Sequence, residues 1–210
     1  MSSLLDNITG VVFDMDNTIV NFDYWYKFKL MGACKYAERH LGLKDFDRVF
    51  WDTFEKHSVY YKYNFRDTLA KLGYDIALEP IIYKKFVEIH AEDIVYEGFN
   101  KFIDLIAPDK SIYILTNGYK ETHEPRIKKL GLDQFNVTYA GGTKHPKPSG
   151  YYLDKLDLIP QKTLVIADDI RDLIYPKYMG YNCIQFNPKI VDKDIKTCYS
   201  YEEIINYLKE

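Results

Sequence analysis

The sequence predicts an α/β protein, a doubly wound parallel sheet interrupted after its first strand by a helical insertion. Three observations predict it. The runs at Val11–Phe13, Ser111–Thr116 and Thr163–Ala167 are short, apolar and rich in β-branched residues, as strands covered on both faces are. Helical periodicity fills the stretches between them, the alternation that yields parallel strands joined by right-handed crossovers. From Phe22 to Tyr96 the texture is helical and aromatic, with no convincing strand. Residues 1–21 and 97–210 are therefore expected to form the α/β core, and 22–96 the insertion.

The elements follow in order. The first strand covers Val11–Asp14. Tyr26–Leu41 has amphipathic helical spacing and stops near Gly42. Asp45–Tyr61 sets Phe46, Val49, Phe50, Thr53 and Phe54 on one helical face. Phe65–Leu72 is a helix closed by Gly73, and Glu79–Asp93 another, with Pro80 in its first turn. Gly98–Ile106 is a short helix before Pro108. Ser111–Thr116 is a strand, turned sharply by Asn117-Gly118. A helix spans Glu121–Leu130, its start blurred by Pro125. Asn136–Ala140 is a strand, Gly141–Gly150 a loop and Tyr151–Leu158 a helix. The Thr163–Ala167 strand, a helix over Ile170–Met179, a strand over Tyr181–Phe186 and a helix over Tyr201–Lys209 finish the chain.

The chain has 210 residues, enough for one good core and a smaller satellite. At 47% hydrophobic and 28% charged it is globular. A net charge of −3, with Lys and Arg spread along the chain, gives no support to a nucleic-acid polymer or a membrane surface as partner. Cys34, Cys183 and Cys198 lack metal-ligand spacing and read as reduced thiols. The first ten residues lack the basic and apolar regions of a signal peptide, and no apolar run is long enough to span a bilayer. The expectation is a cytoplasmic protein whose oligomeric state the sequence leaves unset.

In a doubly wound sheet, ligands bind beyond the carboxyl ends of the strands. There the sequence gathers Asp14, Asp16 and Thr18, then Thr116, Asn117 and Gly118, then Lys144 and Lys147, then Asp168, Asp169 and Asp172. If extended backbone persists through Asp16, Asp14 and Asp16 share one side. Taken singly, each residue has a plainer reading as a helix cap, a turn residue or a solvated lysine. Together, carboxylates beside a core call for a divalent cation with hard oxygen ligands, Mg²⁺. A phosphoryl group would be held by that ion, the Lys147 ammonium, the Thr116 hydroxyl and loop amides. One Asp can attack phosphorus, and another can exchange a proton with the leaving oxygen and with water.

DMDNT at Asp14–Thr18, the strand ending in Thr116-Asn117-Gly118, Lys147-Pro148, and ADDIRD at Ala167–Asp172 resemble the four motifs of the haloacid dehalogenase superfamily of phosphohydrolases. The resemblance covers Val11 to about Phe186. It implies a Rossmann-like core with an α-helical cap inserted between the first and second motifs. By resemblance, Asp14 is the nucleophile and a metal ligand, and Asp16 the general acid/base with its carbonyl on the metal. Thr116 and Asn117 bind phosphate, Gly118 beside them is expected to bind substrate, and Lys147 neutralises nucleophile and phosphate, with Lys144 a weaker rival. Asp168 is the acidic metal ligand and Asp172 its supporting acid. Ala167 stands where many members have Gly. Asp169 replaces a small hydroxyl residue, so either Asp168 or Asp169 can dominate metal binding. Members that cleave carbon–halogen bonds lack a second Asp in the first motif, so Asp16 points to phosphate esters.

The expected substrate is a small phosphorylated metabolite. DMDNT and TNGYK are similar to the forms in pyrimidine 5′-nucleotidase-like members, and aromatic cap residues can stack on a base. Trp25 and Tyr24 lie just past the nucleophile and have the best claim, ahead of Trp51, His57, Tyr60, Tyr61, Tyr63 and Arg66. A nucleoside monophosphate is therefore the leading substrate. The plainer reading makes these aromatics the cap's own core. The rivals are a phosphomutase of the same fold, a phospho-accepting receiver domain and a silent binding protein.

Overall fold

Strand β1 (Gly10–Phe13) is buried along its whole length, in the interior of a six-stranded parallel sheet. The computed structural model describes residues 3–56, 65–89, 92–141, 143–145 and 147–210. The short helix α1 (Leu4–Asn7) precedes β1; α2 (Phe22–Leu41), α3 (Phe46–Lys56), α4 (Phe65–Leu72) and α5 (Glu79–Glu88) follow it. The chain then runs through α6 (Phe99–Ile106), β2 (Ser111–Thr116), α7 (Lys120–Lys129), β3 (Asn136–Tyr139) and β4 (Thr163–Ala167). It ends with α8 (Arg171–Tyr178), β5 (Asn182–Phe186), β6 (Lys196–Cys198) and α9 (Tyr201–Lys209).

The strand order β3-β2-β1-β4-β5-β6 reverses direction at β1. The crevice of a doubly wound sheet opens at such a switch point, beyond the carboxyl end of the strand. Phe13 is level with Ile114 of β2 and Ile166 of β4, so the chain beyond each strand emerges at nearly the same height. Side chains alternate. Val11 and Phe13 enter the layer built with Phe99, Phe102 and Tyr201, while Val12 joins Leu115, Leu153, Val165 and Leu173 on the other face. Phe13 meets Phe99 and Phe102 edge-on at 5.7 and 5.9 Å, which anchors β1 under the site.

Two compact units result: Met1–Phe22 with Asp93–Glu210, and Asp23–Glu92. In the helical unit, Phe50 packs on Phe65 at 5.2 Å, and Trp25 and Tyr26 both meet Phe86 edge-on. Asp93–Tyr96, assigned to the insertion by sequence, belong to the α/β unit. The Asn21 amide donates to Ile94 O and the Tyr96 amide to Ile19 O, so the two connecting segments pair with each other.

Other expectations need correction. Extended backbone ends at Phe13: the Met15 carbonyl accepts amides from Thr18, Ile19 and Val20, and Asn17 takes a left-handed φ of 61°. The helix expected over Glu79–Asp93 ends at Glu88, where Ile89 turns extended. Only a short 3₁₀ turn, Leu153–Leu156, forms within Tyr151–Leu158, stopped by Asp157 at φ 48°. α7 runs through Pro125. The sixth strand, β6, was not expected. The end of the helix predicted to Tyr61, and His57, Tyr60, Tyr61 and Tyr63, lie outside the described residues. Among the described residues no helix is long and apolar enough to cross a membrane.

Candidate active site

Asp14 is the first residue past β1, and its amide still donates to Ile166 O of β4 at 2.9 Å. Its Oδ1 accepts from Lys147 Nζ at 2.5 Å, and the same ammonium stands 2.5 Å from Asp172 Oδ2. All three side chains are less than a tenth exposed. The apolar side chains of Val12, Leu115, Leu153 and Val165 line the pocket that these groups share. Burial pushes the Asp14 carboxyl up to about 6; Lys147 pulls it down, while Asp172 and Asp16 push it further up. Burial opposes the Lys147 charge, but Asp14 and Asp172 more than offset it and raise the lysine above its usual range. It therefore stays a cation. Lys144, by contrast, is exposed.

The loops hold this line in place. Asn117 Oδ1 accepts the Lys147 amide at 2.9 Å, so Asn117 fixes the lysine loop. Thr116 Oγ1 accepts the Gly118 amide at 3.0 Å, which leaves the hydroxyl hydrogen available to a ligand. Gly118 and Gly141 are required by close approach. A Cβ on Gly118 would clash with the His123 ring, and one on Gly141 would meet Gly118 backbone at 2.5 Å. Thr18 Oγ1 accepts the Asp168 amide, tying the β1 loop to the β4 loop.

The two acids after β4 differ. Asp169 is engaged by its neighbour: its carboxylate accepts from the Arg171 amide and side chain, which hold it below the usual carboxylate range despite partial burial. The Asp168 carboxylate makes no hydrogen bond or ion pair among the described residues. Burial, with Asp14 nearby, lifts it to about 8. No three acid, His or Cys side chains among the described residues cluster closely enough to cage a metal by themselves. Asp14 and Asp168 thus form a two-carboxylate edge whose members raise each other's affinity for a proton or another cation. Mg²⁺ suits such a donor set, because it binds through one or two carboxylates and keeps positions for water and phosphate oxygens. Asp172, expected near the metal, is spent on Lys147.

Asp16 and Asp14 have different partners. Asp16 Oδ1 accepts from Arg126 at 2.9 Å, and its Oδ2 lies 2.9 Å from His123 Nε2. Arg126 also donates to both oxygens of Asp93. Burial alone would raise the Asp16 pKa, but Arg126 and His123 prevail and hold it at about 2. His123, Arg126 and Asp93 were not anticipated. The available signal was the i, i+3 pair His123 and Arg126 next to Ile127 on an otherwise polar helix. Trp25 lies in the helical unit, where the Lys29 ammonium covers its ring at 4.6 Å and Phe86 meets it edge-on. Tyr24 is exposed.

A carboxylate–lysine–carboxylate line stands beyond the switch strand of a parallel sheet, with Asp168 open beside it. The family model for haloacid dehalogenase-like hydrolases matches residues 8–180, and the chain belongs to this family of hydrolases. No curated protein matches it. Among solved structures, the chain is similar to YfnB of Bacillus subtilis, assigned as a HAD-hydrolase and solved bound to magnesium. That match has 20% identity and a TM-score of 0.72, over 97% of this chain and 99% of that one. A protein of Clostridium difficile assigned as a phosphatase matches at 18% identity and TM-score 0.64, over 96% and 99%. A protein of Thermotoga maritima assigned as a β-phosphoglucomutase matches at 16% and 0.61, over 96% and 99%. At these identities the likeness establishes the fold.

Proposed function

We propose that the protein is a Mg²⁺-dependent phosphomonoesterase working through an aspartyl-phosphate on Asp14. The observation that carries this reading is the buried Lys147 ammonium bridging Asp14 and Asp172. It fixes one oxygen of Asp14 and offers a positive charge to an incoming phosphoryl group. The other oxygen attacks phosphorus as the bond to the leaving oxygen breaks. Asp16 gives the leaving oxygen a proton, then takes one from the water that attacks the phosphoryl-aspartate and restores Asp14. In the free site Asp16 is ionised, and a phosphate dianion beside it raises its pKa toward the acid form. Asp14 and Asp168 would hold Mg²⁺, which supplies charge neutralisation for the phosphoryl oxygens. Thr116 donates its hydroxyl hydrogen to the phosphate. YfnB, bound to magnesium, supports the choice of ion.

The favoured substrate is a small phosphorylated metabolite, with nucleoside monophosphates first. The test is phosphate release from a panel of p-nitrophenyl phosphate, purine and pyrimidine nucleoside monophosphates, phosphoglycolate and sugar phosphates, with Mg²⁺ and with EDTA. Magnesium-dependent release with a nucleotide preference is the expected result. Preference for sugar phosphates or phosphoglycolate would refute the nucleotide choice, and no release from any ester would refute the phosphatase reading.

A further inference from the structure

The Asp16 carboxylate is held at Oδ1 by Arg126, whose NH1 also donates to His123 Nε2 at 3.1 Å, and neither residue takes another part in the proposed reaction. Arg126 NH2 donates to Oδ1 at 2.9 Å, and His123 Nε2 stands 2.9 Å from Oδ2. The guanidinium is in turn held by Asp93, through Nε at 3.0 and 3.1 Å and NH2 at 2.6 Å. Arg126 and Asp93 are 7% and 4% exposed, while Asp16 is 23% exposed, so the guanidinium joins a buried carboxylate to one that faces the site. Asp93 cannot drift. It begins the segment whose next residues, Ile94 to Tyr96, pair with Ile19–Asn21 just beyond Asp16. A purely stabilising role explains this poorly. Desolvating a guanidinium and two carboxylates costs about as much as their attraction returns, and apolar side chains of that volume would stabilise the fold at least as well.

We propose that Arg126 is a positioning residue for Asp16, with Asp93 as its anchor. The proposal rests on the phosphomonoesterase reading. A proton donor works only within hydrogen-bond reach of the leaving oxygen, so the orientation of Asp16 sets the rate when that oxygen needs a proton. The hydrogen bonds of Arg126 described above run to Asp16, Asp93 and His123, whereas Asp14 is held by Lys147, so nucleophilic attack is assigned to a separate set of contacts.

The leaving group separates this role from a structural one, because kcat/KM reports the step in which the ester oxygen departs. Alkyl phosphates need the proton, and 2,4-dinitrophenyl phosphate does not. Arg126→Met is expected to lower kcat/KM for an alkyl phosphate by about 10²-fold, within the range for general acid catalysis, and for the dinitrophenyl ester by less than about threefold. Asp93→Asn, which keeps the side-chain volume, should show the same pattern more weakly, and Arg126→Lys should recover part of the alkyl loss. Added to Asp16→Asn, Arg126→Met should do no further damage. Equal losses on both esters in Asp93→Asn and Arg126→Met, or multiplied losses in the double variant, would overturn the positioning role while wild-type turnover keeps the phosphatase reading. If Arg126→Met does not fold, Asp93→Asn and Arg126→Lys decide alone. A wild type that hydrolyses neither ester overturns the phosphatase reading and this one with it.

Discussion

Replacing Lys147 with methionine removes one ammonium and leaves Asp14 and Asp172, both less than a tenth exposed, without the charge that both contact at 2.5 Å. Breaking a buried ion pair from one side typically costs about 3–5 kcal/mol. For a chain of this length each kcal/mol moves the melting temperature by about 2–4 °C, so the variant should melt roughly 6–20 °C below wild type at pH 8. The pH dependence has a definite sign. Lys147 draws the Asp14 pKa down, so in its absence that pKa rises above about 6 and Asp14 is protonated at pH 5. A neutral carboxyl no longer needs the ammonium, and the gap to wild type should narrow at pH 5. Exposed Lys144→Met is the reference and should stay within about 0.5 kcal/mol of wild type. Thermal melts of the three proteins at pH 5 and pH 8, with phosphate release measured alongside, give the comparison. If Lys147→Met melts with Lys144→Met at pH 8 and keeps its activity, or if the gap widens at pH 5, the reasoning is refuted.

Two further outcomes follow from the same geometry. Asp168 is the open acid and Asp169 is engaged by Arg171, so Asp168→Asn should weaken Mg²⁺ binding at least about tenfold and Asp169→Asn less than threefold, measured by titration calorimetry. The folded pKa values of Asp14 and Asp168, about 6 and about 8, lie above the ordinary 3.8, so the metal-free fold holds extra protons and loses stability as pH rises from about 4 to 8. Mg²⁺ neutralises that charge, and its addition should raise the melting temperature more at pH 8 than at pH 5; an equal rise would contradict the placement.

The sequence exposed the parts of the fold that depend on burial. β1, β2 and β4 are apolar runs with side chains on two buried faces; the acids stand after β1 and β4, and the lysine in the loop after β3. The rest depends on contacts that periodicity does not encode. Asp168 and Asp169 are adjacent and alike in sequence, and the Arg171 amide and side chain, which both engage Asp169, separate them. α7 reads KETHEPRIKK, nearly all polar, and its inward face becomes visible only once the sheet covers His123, Arg126 and Ile127. Asp93 is far in sequence from Asp16 and meets it only through Arg126. β6 has three residues and gains its strand geometry from pairing with β5. Asp14 and Asp16 fall on one side only if the strand continues, and it stops at Phe13, ahead of the tight turn through Asn17.

The claim that Asp14 carries the phosphoryl group can be tested directly by trapping. Enzyme turning over p-nitrophenyl phosphate with Mg²⁺ would be quenched in acid, digested and read by mass spectrometry. The account predicts one phosphoryl group on the peptide containing Asp14, and neither phosphorylation nor turnover in Asp14→Asn. Steady turnover with that peptide unmodified, or wild-type turnover by Asp14→Asn, would contradict it.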